Sequence, residues 1–189
     1  SEVQDQLKSV QQVQASYGAF AAILADGSVV TWGNPDYGGD SSEVQDQLKG
    51  VQQVQATDRA FAAILADGSV VTWGDRRSGG DSSEVQHQLR NVLEIQSTAT
   101  AFAAILADGA VLTWGRGLYG GDSSKVQGQL RNVQQIQATN GAFAAILADG
   151  SVVTWGDRRS GGDSSEVQHQ LRNVLEIQST ATAFAAILA

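Results

Sequence analysis

Phenylalanine stands at 20, 61, 102, 143 and 184, every 41 residues without a slip, and Trp32, Trp73, Trp114 and Trp155 keep the same step. This period constrains the fold more than any other feature. A 41-residue unit is one supersecondary module, and such modules bury their faces only by stacking on neighbours. The 189 residues divide into units 1–41, 42–82, 83–123 and 124–164, followed by an incomplete unit 165–189. Residues 75–107 and 157–189 are identical, the mark of a duplicated pair of units or of a sequence built from a consensus.

The unit 42–82 can be read in order. Ser42 and Gln45 have the Ser-x-x-Gln spacing of a capping box, repeated as Ser1/Gln4, Ser83/Gln86, Ser124/Gln127 and Ser165/Gln168. With Val44 and Leu48 on one face and Gly50 as a terminator, the spacing predicts a two-turn helix. VQQVQA at 51–56 reads as a short first strand with Val54 and Ala56 on one face. AFAAILA is apolar on both pleat faces and reads as a central strand buried on each side. Asp67-Gly68 is expected to form a two-residue hairpin turn. SVVTWG, rich in β-branched residues, is the third strand, and the Gly-rich DRRSGGD leads to the next unit.

These residues resemble a known family. LADGSVVTWG followed by a Gly-rich turn, with VQQVQA one strand upstream, is similar to the regulator of chromosome condensation repeat. The 41-residue length is closer to the short three-stranded blades of the beta-lactamase inhibitor propeller. The resemblance implies an all-β fold with short connecting helices, built of β-propeller-type blades, usually seven to a ring. An open β-solenoid of the same units is the alternative. The family's Gly-Gln-Leu-Gly segment is replaced by Gly-Gly-Asp-Ser-Ser here, and its nucleotide-exchange and inhibitor-contact residues have no match, so the resemblance implies fold and no particular activity.

Strand parity places the loops. If the first strand runs up, its exit loop lies on the top face, the Asp-Gly turn at the bottom, and the loop after the third strand on top again. The bottom turn is Asp-Gly in all four complete units, whereas the top loops differ: SYG, TDR, TAT and TNG after the first strand, and NPDY, DRRS, RGLY and DRRS after the third. Variable loops on a rigid scaffold are where recognition is usually placed. Tyr17, Tyr37, Arg59, Arg76, Arg77, Leu118, Tyr119, Arg158 and Arg159 are therefore the candidate partner-binding residues, Tyr and Arg being the side chains that dominate interface hot spots. Drift in tolerant loops is the competing explanation.

Other chemistry is thin. The net charge of −8 argues against nucleic acid as a partner, and the longest apolar run, Ala19–Ala25, is far too short to span a membrane. Without cysteine there is no disulfide or thiolate metal site. His87 and His169 read as solvent-facing, and Gly-Gly-Asp-Ser-Ser as a loop rather than a phosphate or calcium site. Gln14, Gln55, Gln96, Gln137 and Gln178 are expected to form an amide ladder along the channel or against a neighbouring blade. No nucleophile–base–acid set can be assembled and no cofactor or metal is implied. The expectation is a non-enzymatic binding or scaffold module that recognises a protein through its top face. The alternative is a structural subunit or spacer in a larger assembly or longer repeat array. Ala183–Ala189, a central strand without its third strand, is expected to be completed by further repeats or by another chain.

Overall fold

The computed structural model describes residues 2–189, in which the period becomes a series of small antiparallel sheets. The first holds β1 (Val10–Ala15), β2 (Ala19–Leu24) and β3 (Val29–Gly33), and the second β4 (Val51–Ala56), β5 (Ala60–Leu65) and β6 (Val70–Gly74). Then come β7 (Val92–Ser97), β8 (Ala101–Leu106) and β9 (Val111–Gly115), followed by β10 (Val133–Ala138), β11 (Ala142–Leu147) and β12 (Val152–Gly156). Each is a meander with the middle strand central, and β13 (Val174–Ser179) pairs with β14 (Phe184–Leu188) as a two-stranded fifth sheet. The architecture is that of propeller blades, as the repeat implies.

Packing follows from which faces are apolar. The middle strands β5, β8 and β11 are buried from their Ala to their Ile, so each sheet is covered on both faces by its neighbours. First strands of consecutive sheets touch one another, so the sheets fan out around their inner edges. Within each first strand a bulge lies between residues such as Val51 and Gln53. It breaks the period of two, so that Val51 and Val54, three apart, are both buried.

Two local expectations are corrected. The residues after Gly-Gly-Asp-Ser-Ser do not form a two-turn helix. In the second unit they make a 3-10 turn, Gln45–Gln47, and the only α-helix among the described residues is the five-residue α1 (Glu2–Gln6). The reason is that the glutamine looks backwards across the sheet rather than capping. Gln45 Nε2 donates to the carbonyl of Val29 at 2.9 Å, while Ser41 Oγ, not Ser42, donates to Gln45 Oε1 at 2.8 Å. The same pair of bonds recurs at Gln86, Gln127 and Gln168 with Ser82, Ser123 and Ser164. Segments this short do not support a helix unaided, and Leu48, Leu89 and Leu130 use the tight turn to enter the core. The Ser1/Gln4 pairing lies outside the described residues.

The hairpin turn has three loop residues, not two. Gly68 N–H bonds the Leu65 carbonyl, Leu65 N–H bonds Ser69, and Gly68 alone takes a positive φ, +76°. This is a turn followed by a left-handed glycine, with Asp67 Oδ1 accepting from Ser69 N–H and Oγ–H. The left-handed residue sought as a helix terminator exists, as Ser9, Gly50, Asn91, Asn132 and Asn173, but it opens the first strand. It also seats the preceding turn: a Cβ on Gly68 would stand 2.9 Å from the Asn91 Cα.

Candidate partner-binding face

Two sets of bonds create the upper face. Within a blade, the side chain after the first strand ties down the loop after the third: Thr57 Oγ1–H donates to the Ser78 carbonyl at 3.0 Å, Thr98 to Tyr119 at 3.0 Å and Thr139 to Ser160 at 2.9 Å. In the first unit Ser16 does the same to Tyr37 at 2.8 Å. Both variable loops thus lie side by side, as strand parity requires. Between blades, a backbone chain links the tips of the inner loops. Tyr17 N–H donates to the Asp58 carbonyl, Asp58 to Ala99, Ala99 to Asn140 and Asn140 to Ala181, all at 2.9–3.0 Å. The polarity is the same at every step. Because these bonds use only backbone, the side chains at 17, 58, 99 and 140 vary without altering the scaffold, and the shallow polar basin they surround has a volume of about 560 Å³.

The outer joint is built from three aromatic contacts. Trp73 Nε1–H donates to the Gly38 carbonyl of the preceding loop at 3.1 Å, and Trp114 and Trp155 do the same to Gly79 and Gly120 at 3.0 Å. Each Trp stacks on its own blade's Phe with ring centroids 5.2 Å apart. Gly79 has φ +95° and a Cβ there would meet the Phe102 ring at 2.5 Å, so both conformation and space require glycine. The loop is thereby held from beneath by the next blade while its tip stays in solvent.

Of the nine candidate residues, the structure brings three into one cluster. Tyr17 and Tyr37 stack at 5.8 Å, and the Arg59 guanidinium lies 4.7 Å above the Tyr37 ring, its Nη2–H donating to Tyr37 Oη at 3.3 Å. Tyr17 is 81% exposed. Leu118 is exposed beside Tyr119, over which lies Arg116, a residue absent from the sequence-derived set. Its only signal was its place as the first residue of RGLY, where the other loops carry Asn or Asp. The arginine pairs behave differently again. Arg76 and Arg158 fold back on Asp81 and Asp163 at 2.6 and 2.8 Å, while Arg77 and Arg159 are exposed and make no ion pair among the described residues. Asp81 is held well below the usual carboxylate range, to about 2, first by the N–H and hydroxyl of Ser83 and then by Arg76. At the inner rim, burial pushes the Asp58 carboxyl up, opposed by the Arg59 charge.

The amide ladder is present as one rung. Gln14 Nε2–H donates to Gln55 Oε1 across two blades at 2.8 Å, but Gln96 and Gln178 turn to Glu94 and Glu176 on their own strands. Where the ladder lapses at the third blade, Ser97 Oγ–H crosses to the Ala56 carbonyl at 2.7 Å. His87 and His169 are exposed. Among the described residues no helix is long and apolar enough to cross a membrane, and no three acidic or imidazole side chains cluster as a metal site would need.

These blades, meanders joined through a loop glycine and an indole, define a β-propeller repeat. Comparison with solved structures specifies it further. The chain is similar to yeast RCC1 (Prp20) in its complex with Kap60, with a TM-score of 0.63 and 18% identity over 98% of this chain and 50% of that one. It is similar to Prp20p from Saccharomyces cerevisiae, in a study of its binding to Gsp1p and histones, with a TM-score of 0.60 and 19% identity over 96% and 50%. Human WBSCR16 gives 0.54 and 17% over 95% and 53%. The fold is thus an RCC1-like repeat fold, and the chain spans about half the length of these structures. Identities this low carry the fold alone. No protein-family model matches the chain, and no curated protein sequence matches it.

Proposed function

We propose that this chain is a non-enzymatic binding module that recognises a protein partner through its upper loops. The observation that carries this reading is the Tyr17–Tyr37–Arg59 stack, a solvent-facing aromatic and guanidinium cluster standing on backbone-bonded loops. Preorganised Tyr and Arg give contact area at low entropic cost. Arg77 and Arg159 extend the surface, each exposed and without an ion pair among the described residues of an acidic chain, which favours a partner with acidic side chains. The structural neighbours support a protein partner, since yeast RCC1 (Prp20) is seen bound to Kap60 and Prp20p has binding properties toward Gsp1p and histones. Replacing Tyr17 and Arg59 of the cluster together with Arg77 and Arg159 by Ala tests the reading. Capture of the partner should be lost while the circular dichroism spectrum is kept; capture at the wild-type level would refute it.

A further inference from the structure

The lower face, where the hairpin turns and the starts of the first strands lie, carries charges that the upper loops do not use. Lys8, Lys49, Arg90, Arg131 and Arg172 stand at one position of the repeat, and all five are exposed. Each directly precedes the left-handed residue that opens the first strand. The first N–H of that strand bonds the turn glycine of the preceding blade: Val51 to Gly27, Val92 to Gly68, Val133 to Gly109 and Val174 to Gly150, all at 2.9 Å. This joint sets the exposed Asp26, Asp67, Asp108 and Asp149, each one residue before its glycine, beside the cation of the following unit. Each of these joints therefore shows one carboxylate and one cation, always in the same order around the face. Among the described residues none of these charges forms an ion pair. In Asp26, Asp67 and Asp149 the serine bonds take up Oδ1 and leave Oδ2 open. Inboard of the charges, at the lower ends of β7 and β13, Leu93 and Leu175 are each 65% exposed, where other units carry Gln11, Gln52 and Gln134.

We propose that this face binds the same face of a second copy of the chain, about a two-fold axis through the Asp108–Arg131 joint. Two-fold contacts pair a surface with itself, and this surface is its own complement. Turning it over reverses the order of the two charges at every joint. Arg131 then falls opposite Asp108 of the second copy, and Arg90 opposite its Asp149. The same operation exchanges the third and fifth units, so Leu93 meets Leu175 and the exposed apolar groups are covered together. An anionic surface is a poorer fit, because a carboxylate stands beside the cation at each joint. The contact leaves both sets of upper loops free, so the pair presents the proposed recognition face twice.

Sedimentation equilibrium of the 189-residue chain, from about 1 µM to about 300 µM, tests this. A reversible dimer is expected at about 50 mM salt, weakened several-fold at about 500 mM. Leu93→Gln together with Leu175→Gln should weaken it at least about tenfold. The fold accepts these changes, since Gln11, Gln52 and Gln134 occupy the same position. Arg131→Asp should weaken association about tenfold, and adding Asp108→Arg should restore it, because both crossed contacts are then reversed together. A monomer throughout the range would overturn the proposal. So would a dimer indifferent to the glutamine variant or to salt, since the contact would then lie elsewhere. No recovery in a double charge variant that keeps the wild-type circular dichroism would overturn it as well. Sedimentation of a monomeric chain with phosphatidylserine vesicles would assign the face to lipid and overturn it equally.

Discussion

Replacing one tryptophan at a time separates what the indole does within its own blade from what it does between blades. Trp32, Trp73, Trp114 and Trp155 each sit in a Thr-Trp-Gly third strand and all stack on their own Phe, at 5.2–5.3 Å. Among the described residues only the last three reach a glycine carbonyl of a preceding loop. Trp114 is 5% exposed; removing it to Ala costs ~3–5 kcal/mol for a large buried aromatic. The Gly79 carbonyl left without its donor adds ~1 kcal/mol. Trp32 is partly exposed and its partner Phe20 is 43% exposed, so Trp32→Ala forfeits chiefly the stacking and half the burial, ~1–2 kcal/mol. The difference of about 3 kcal/mol corresponds to a midpoint shift of about 1.5 M urea at a slope near 2 kcal/mol/M. Urea titration followed by far-ultraviolet circular dichroism reads it. Equal midpoints for Trp32→Ala and Trp114→Ala would refute the argument, because the indole would then serve only its own hairpin. Trp114→Phe, which keeps a ring and loses the donor, should fall between wild type and Trp114→Ala.

Two further outcomes are expected. Ser123 is 5% exposed and bonds both Thr113 and Gln127, so Ser123→Ala should cost ~1–2 kcal/mol. Ser124→Ala, the change a capped helix would feel, should stay within ~0.5 kcal/mol in the same titration. Stability should also fall in acid. Asp26, Asp67 and Asp149 are lowered first by the hydroxyls of Ser28, Ser69 and Ser151, and Asp40, Asp81 and Asp163 first by the N–H groups of Ser42, Ser83 and Ser165. A depressed folded pKa contributes stability that is complete above the unfolded value near 4 and is lost as pH falls through the folded value, about 2 for Asp81. Thermal midpoints should therefore be level between pH 7 and 5 and decline from about pH 4 to 2. A decline that begins near neutrality would contradict this.

The parts of the fold legible in sequence were those written in side chains at a fixed period. The buried middle strand AFAAILA, the Asp-Gly turn position and the third strand with its Trp all stand where periodicity put them. The absence of the expected helix at 42–49 has a local cause. Two consecutive serines stand ahead of Gln45, Gln86, Gln127 and Gln168, and Ser-x-x-Gln fits a capping box as well as Ser-x-x-x-Gln fits a cross-strand amide. Only the carbonyl of Val29, 16 residues upstream, decides between them. The bulge at Val51/Gln53 was hidden for a similar reason, since a three-residue spacing in a strand has no periodic signature. The candidate face was legible as a set of Tyr and Arg side chains, but not its pairing, because Arg59 crosses to Tyr37 of the preceding unit. The chain of bonds from Tyr17 to Ala181 lies wholly in the backbone and leaves no mark on residue choice.

The proposed recognition surface is separate from the inter-blade joints that hold the scaffold, and adds little to stability. One variant carrying Ala at 76, 77, 158 and 159 measures both at once. Surface substitutions each cost within about 0.5 kcal/mol, and the exposed Arg76–Asp81 and Arg158–Asp163 pairs are screened by solvent and add little. The thermal midpoint should accordingly drop by only a few degrees. Affinity for the captured partner should fall at least about tenfold, the loss expected when even one hot-spot arginine is removed. A variant that binds like wild type, or one that loses binding only because it has unfolded, would contradict the account.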